Sequence, residues 1–255
     1  MIVTADSIAV RQTNRRKTAN GWLTTFIGQN RNTLKENEAP PPDNIVYPMA
    51  FLVEKEAAAI IHPHFHQADQ YQVIVQGGGR LGVHDVGSVS VHYTDSYSAY
   101  GPIVADGEGI SFFTLRNAWD PGARYMPAER QQLREARARF QHREVACGPL
   151  SPLTEAERIA LADVTGAPVF ETTKDGAATW RYTVNPGGTV HGLDPSSGGG
   201  QFWLVTAGSA QVPNGALLPA NSTAFVGPED AAMAMTAGPM GADLLCLQFP
   251  RRARD

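Results

Sequence analysis

The sequence predicts an all-β chain in two halves joined by a helical segment. Three observations predict it. Twenty-five glycines and eighteen prolines among 255 residues call for many turns, as short strands do. Runs rich in β-branched and aromatic residues recur in both halves, with Gly, Asp or Pro between most of them. Between the halves the texture changes to a stretch dense in helix formers.

Taken in order, residues 1–60 hold a basic patch (Arg15, Arg16, Lys17) expected as a solvated turn, a strand at Trp22–Ile27 and a polar loop through Pro40–Pro42. Strands are expected next at Ala50–Lys55, Ile60–His66, Gln70–Val75, Gly87–Tyr93 and Gly109–Leu115. A helix follows from Pro127 to Glu144, because Pro opens it and Gly148-Pro149 lies past its end. A second helix is signalled over Ser151–Ala162, where Thr154 and Glu157 match a capping box. Met126–Val164 therefore reads as a helical connector. Arg134, Arg137, Arg139 and Arg143 are expected on its solvated face, with His142 exposed on the helix. Strands resume at Ala178–Val184, Gln201–Thr206, Ser222–Val226, Met233–Thr236 and Leu244–Phe249.

One internal repeat relates the halves. Gln70-Tyr-Gln-Val-Ile-Val-Gln-Gly77 aligns without gaps on Gln201-Phe-Trp-Leu-Val-Thr-Ala-Gly208. Upstream, the first copy offers three histidines and the second only His191. The division expected is residues 1–125, a connector over 126–164, and residues 165–255, with any site in the first half.

That site rests on His62-Pro-His64-Phe-His66-Gln-Ala-Asp-Gln70. Residues two apart on a strand share a face, so His62, His64 and His66 are placed to converge on one cavity. Gln70 lies an even number of residues further on and joins them if the strand is unbroken. Imidazole binds Zn, Cu, Fe and Ni, and an amide oxygen is a weaker ligand. Pro63 can divert His62 from this face. Val89-Ser-Val-His92-Tyr alternates, so His92 can enter from a neighbouring strand.

The spacing His64-x-His66-x3-Gln70-x6-Gly77 resembles the first metal motif of the cupins, with Gln in the usual Glu position. The stretch from Val91 to Pro102 takes the place of their second motif, and Tyr100 falls about where that motif's histidine ligand stands. The resemblance implies tandem double-stranded β-helix (jelly-roll) barrels, the second degenerate. It implies one divalent transition metal (Fe, Mn, Ni, Cu or Zn) on His64, His66 and Gln70, with His62 in support. His92 and Tyr100 become acid–base groups, and Tyr71, Tyr93 and Phe113 a cavity wall for a small-molecule substrate. Similar proteins are commonly homodimers, and Trp22–Ile27 is a strand that could pair with a partner's sheet.

The function implied is a metal-dependent enzyme, an oxygenase or a lyase/isomerase. Two alternatives stand beside it: a metal-free small-molecule-binding module, and a metal-free acid–base enzyme using the same histidines. Other classes lack their signals. A formal charge of −4 gives no electrostatic case for nucleic acid. No dinucleotide, phosphate-loop or serine-nucleophile motif is present. No apolar run approaches the ~20 residues of a membrane span, and the N-terminus lacks a signal-peptide pattern. A cytoplasmic location is expected, with Cys147 and Cys246 as thiols.

Overall fold

A computed structural model describes residues 1–29, 31, 34, 37–42, 44–137 and 142–251. In chain order the elements begin with β1 (Ile2–Ala5), α1 (Ser7–Asn14), β2 (Arg15–Thr18), β3 (Gly21–Ile27), β4 (Met49–Lys55), β5 (Ile60–Ile61) and β6 (His64–Phe65). Next come β7 (Gln70–Leu81), β8 (His84–Gly87), β9 (Ser90–Thr94), β10 (Ile103–Arg116), β11 (Arg124–Tyr125), α2 (Arg130–Arg137), β12 (Glu144–Cys147) and α3 (Glu155–Ile159). The chain finishes with β13 (Thr165–Phe170), β14 (Ala178–Val184), β15 (Thr189–His191), β16 (Gln201–Gln211), β17 (Leu217–Pro219), β18 (Thr223–Val226) and β19 (Ala234–Gln248). Every strand pair is antiparallel. The fold is an all-β jelly roll, as the sequence predicts. Among the described residues no helix is long and apolar enough to cross a membrane.

The chain divides into two compact units, residues 14–150 and residues 1–13 with 151–255. In the first, the sheet order is β12-β9-β7-β10-β4-β3-β2, with β5 on β10 and β8 on β7. The long central strands β7 and β10 pair through Tyr71↔Leu115 and Val73↔Phe113. Around these pairs the odd-numbered side chains belong to the core. Tyr71, Val73, Phe113 and Leu115 are all fully buried, and Phe26 meets Phe113 edge-on at 4.9 Å. The even-numbered side chains face the other way, which is the direction of the site.

Four expectations need correction in this unit. The basic patch is not a turn but the edge strand β2, where Arg15 pairs with Glu54 at 3.0 Å and lies over the Trp22 ring. Charge on an edge strand discourages pairing with another chain. The strand at Trp22–Ile27 has β2 on one side and β4 on the other, so this chain occupies both of its edges. The connector contains a strand, because β12 pairs with β9 through Cys147↔Val91. Arg143 is not on a solvated helix face: it forms an ion pair with Asp95 at 2.9 Å. The described part of helix α2 is Arg130–Arg137; residues 138–141, Arg139 among them, lie outside those described, and His142 is exposed.

In the second unit the order is β1-β18-β16-β19-β14-β13, with β15 on β19 and β17 on β16. Strand β16 lies between β18 and β19 as β7 lies between β9 and β10, so the repeat occupies equivalent places. Register agrees as well: Phe202↔Leu247 and Trp203↔Cys246 answer Tyr71↔Leu115 and Gln72↔Thr114. The interior differs. Trp203, Met233, Met235 and Cys246 fill it as one apolar cluster, and His191 is exposed. Strand β1 closes the edge of β18, so residues 1–13 belong with the second half and not, as expected, with residues 14–125. Thr154 and Glu157 form the expected capping box at the start of α3.

Candidate functional site

The even-numbered face of β7 and β10 opens on a cavity of about 320 Å³ within the first unit. Gln70 and Gln72 come from β7, and Phe112, Thr114 and Arg116 from β10. Phe51, Val53 and Leu23 on β4 and β3 continue the apolar wall. His64 enters from β6, which pairs with β11 and exchanges two backbone hydrogen bonds with Tyr100, at 3.1 and 3.0 Å. That exchange brings Tyr100 into the cavity beside His64.

A directed chain of hydrogen bonds crosses the cavity floor. His64 Nδ1 lies 2.7 Å from the His62 carbonyl oxygen, which can only accept, so Nδ1 carries the proton. His64 Nε2 then accepts from the Tyr100 hydroxyl at 2.9 Å. Tyr100 in turn accepts from Gln70 Nε2 at 2.6 Å. Gln70 Oε1 accepts from Arg116 Nε at 2.9 Å and from Nη2 at 2.6 Å. Each link sets the direction of the next, from the guanidinium to the His62 carbonyl.

His66 is held separately. Its Nδ1 donates to Asp120 Oδ1 at 2.8 Å, and Arg116 Nη2 lies 3.1 Å and 3.2 Å from its two ring nitrogens. Near-equal distances place the guanidinium against the ring face, not in line with one lone pair. Asp120 is wholly buried and also accepts from Gln67 N and Gly122 N, each at 2.8 Å, with Arg116 Nη1 at 3.4 Å. Burial alone would raise its pKa, but Arg116, His66 and the Gln67 N–H hold it well below the usual carboxylate range.

Burial pushes the His64 pKa down to about 3, with neighbouring His66 and Arg116 adding to the effect. It lowers that of His66 as well, again helped by Arg116 and opposed by Asp120. The Tyr100 phenol is pushed up by burial. Both imidazoles and the phenol are therefore neutral at pH 7, and the charges beside them belong to Arg116 and Asp120.

The sequence-predicted residues separate into four groups. His64, His66, Gln70 and Tyr100 meet in the cavity. His62 does not: the strand breaks at His62-Pro63, the imidazole is exposed, and only the backbone carbonyl serves the site. His92 is buried behind Gln72, with Nδ1 3.1 Å from Gln72 Oε1 and Nε2 3.1 Å from Glu144 Oε1, so it does not line the cavity. Tyr71, Tyr93 and Phe113 fall on the opposite face of the sheet by the period of two and belong to the core. Arg116 and Asp120 were missed. Arg116 continues the same-face series Phe112, Thr114, Arg116, a signal hidden by ending the strand at Leu115; Asp120 sits in a loop with no pattern to reveal it.

The donor atoms can be tested against a divalent ion. Ring anchoring suits one, since ligating histidines usually bind a carbonyl or carboxylate through the other nitrogen. The inward-facing atoms suit it less. Gln70 Oε1 already accepts two guanidinium N–H groups, and His64 Nε2 accepts the Tyr100 hydroxyl. Among the described residues no three His, Cys, Asp or Glu side chains are placed to hold a metal ion. A dication bonded to His66 would meet the like charge of the Arg116 guanidinium, whose Nη2 lies 3.1 and 3.2 Å from the ring nitrogens. Asp120 offsets part of that. As arranged, the residues do not fit a divalent ion.

No family model matches the chain, and no curated protein does. Solved structures do. A candidate dioxygenase from Nostoc punctiforme is similar over 100% of this chain and 85% of its own, at 10% identity and a TM-score of 0.60. A single-substitution variant of oxalate decarboxylase from Bacillus subtilis is similar over 99% of this chain and 78% of its own, at 15% identity and 0.58. A bacterial pirin from Escherichia coli in complex with nickel(II) is similar over 99% of this chain and 100% of its own, at 9% identity and 0.57. At such identities the likeness speaks for the fold, and with the motif and repeat above it leads to one conclusion: this chain has the cupin fold.

Proposed function

We propose that the first unit is a metal-independent small-molecule site in which the Arg116 guanidinium takes the place that a metal ion holds in a metal-binding cupin. The observation that carries this is the position of Arg116, 2.6 Å from Gln70 Oε1 and against the ring of His66. The cation is built into the chain and held by a buried carboxylate, Asp120. Tyr100, Gln70 and His64 form a pre-oriented polar floor beneath apolar walls, the usual make-up of a ligand pocket. Binding is the role this floor supports most directly. Tyr100 and His64 share one hydrogen bond, so acid–base chemistry on a bound ligand would run through that pair, with Tyr100 giving a proton and His64 receiving one.

A second reading is favoured by the anchoring of both histidines through Nδ1, and by the nickel(II) in the similar pirin and the Mn(II) centres of the similar oxalate decarboxylase. In it, His64 and His66 would hold a divalent ion with Gln70 and Tyr100 beside it, after Arg116 had turned aside. Metal analysis of protein purified without a His-tag, beside a His64→Ala/His66→Ala control, separates the two. A metal-independent site should carry well under one metal per ten chains, with no uptake on reconstitution. Near-stoichiometric metal that disappears in the control would overturn it.

A further inference from the structure

We propose that the cavity takes a small organic anion, a carboxylate with a flat apolar body, held by Arg116. This rests on the metal-independent reading above and adds the ligand's chemical class. The placement of charge points to it. Of the buried pair, the positive member lines the cavity and the negative member stands behind the wall. Arg116 is among the lining residues, whereas Asp120 is not and has 0% exposure. Asp120 holds four partners already, from Gln67, Gly122, His66 and Arg116. Among the described residues, Arg31 is the other cation of the lining, and neither Asp nor Glu lines it. An ammonium ligand would thus meet like charge on these side chains, while a carboxylate meets the guanidinium charge and those of its five N–H groups that Gln70 and Asp120 leave open.

Size and wall composition narrow the class. A volume of about 320 Å³ is at the lower end of the ~300–1,000 Å³ of ligand sites. Phe51, Phe112, Val53 and Ile103 give apolar sides, and the polar groups gather around Arg116. The fit is a monoanion with one charged end and one apolar end.

The test uses the full chain, dialysed against EDTA, titrated calorimetrically with benzoate and trans-cinnamate and with the neutral analogues benzyl alcohol and cinnamyl alcohol. At least one carboxylate should bind saturably and at least tenfold tighter than its alcohol. Because Arg116→Gln alone strands Asp120 and can fail to fold, an Arg116→Gln/Asp120→Asn double variant, with its fold checked by circular dichroism, removes both charges together. The preference for carboxylate should vanish in it. Equal binding of acid and alcohol, no binding of either carboxylate, or a preference that survives the double variant would overturn the inference while leaving the metal-independent reading intact. Carboxylate binding that appears only when Mn(II) is restored would instead overturn that reading, and the inference with it.

Discussion

At the scale of residues, the site is a set of neutral hydrogen-bonding groups arranged around one buried ion pair, and the pair should dominate its stability. Removing one partner of a buried pair leaves an uncompensated charge. Asp120→Asn should therefore cost about 3 kcal/mol, the lower end of the range because an amide oxygen still accepts from a backbone N–H. In thermal unfolding that is a Tm loss on the order of 10 °C for a unit of this size; a loss under about 2 °C would show that Asp120 does not hold Arg116. His64, His66 and Gln70 were legible from their spacing, although β6 ends at Phe65 and Gln70 opens β7, so two strands and the turn between them, not one unbroken strand face, bring them together. Arg116 was not, since a lone arginine at a strand's end ordinarily reads as solvent-exposed. Asp120 left no trace because its partner His66 is 54 positions away and only the folded chain brings them together.

At the scale of elements, the repeat has a structural meaning that its short alignment only hints at. Both copies close on glycine, and both glycines adopt the left-handed region, Gly77 at φ +67° and Gly208 at φ +72°. A Cβ on Gly77 would stand 2.0 Å from the Gly109 carbonyl oxygen, and one on Gly208 2.0 Å from that of Gly241. Each is the point where a long central strand crosses its neighbour too closely for a side chain. Gly77→Ala and Gly208→Ala should each cost about 2 kcal/mol or more. Gly107→Ala, with open space at its Cβ, is the control and should be nearly neutral; chemical denaturation of the three variants checks the ordering. The central strands were legible from the alternation of apolar residues, although Gly87–Tyr93 divides into β8 and β9, and Met233–Thr236 and Leu244–Phe249 belong to the single strand β19. The connector was not, because β12 is a four-residue strand whose pairing with β9 is a long-range event, and the helix formers before it masked it.

At the scale of the molecule, the two units share a strand arrangement and differ in what fills them. Trp203 stands in the second at the register position of Gln72 in the first, and its indole N–H donates to Gln201 at 3.0 Å. With Met233, Met235 and Cys246, Trp203 fills the interior where the first unit keeps a cavity. The loss of ligand residues in the second half was visible in the sequence; the return of the N-terminus was not, since β1 pairs with a strand more than two hundred residues away and nothing local announces it. Ser7 extends the contact by donating from N to Ser222 Oγ at 2.9 Å and from Oγ to the Ala220 carbonyl at 2.8 Å. Deleting residues 1–6 would uncover the edge of β18, a site open to pairing with other chains. The expected result is a lower-melting transition by calorimetry and concentration-dependent association by light scattering. Unchanged melting and a monodisperse sample would show that the strand is dispensable.

The position of Arg116 decides between a built-in cation and a bound one, and a crystal structure grown with millimolar Mn(II) reads that position directly. The guanidinium should stand between Gln70 and His66, with no anomalous scattering within bonding distance of either histidine's Nε2. An anomalous peak bonded to His64 and His66, with Arg116 turned away, would contradict this and assign the site to a metal.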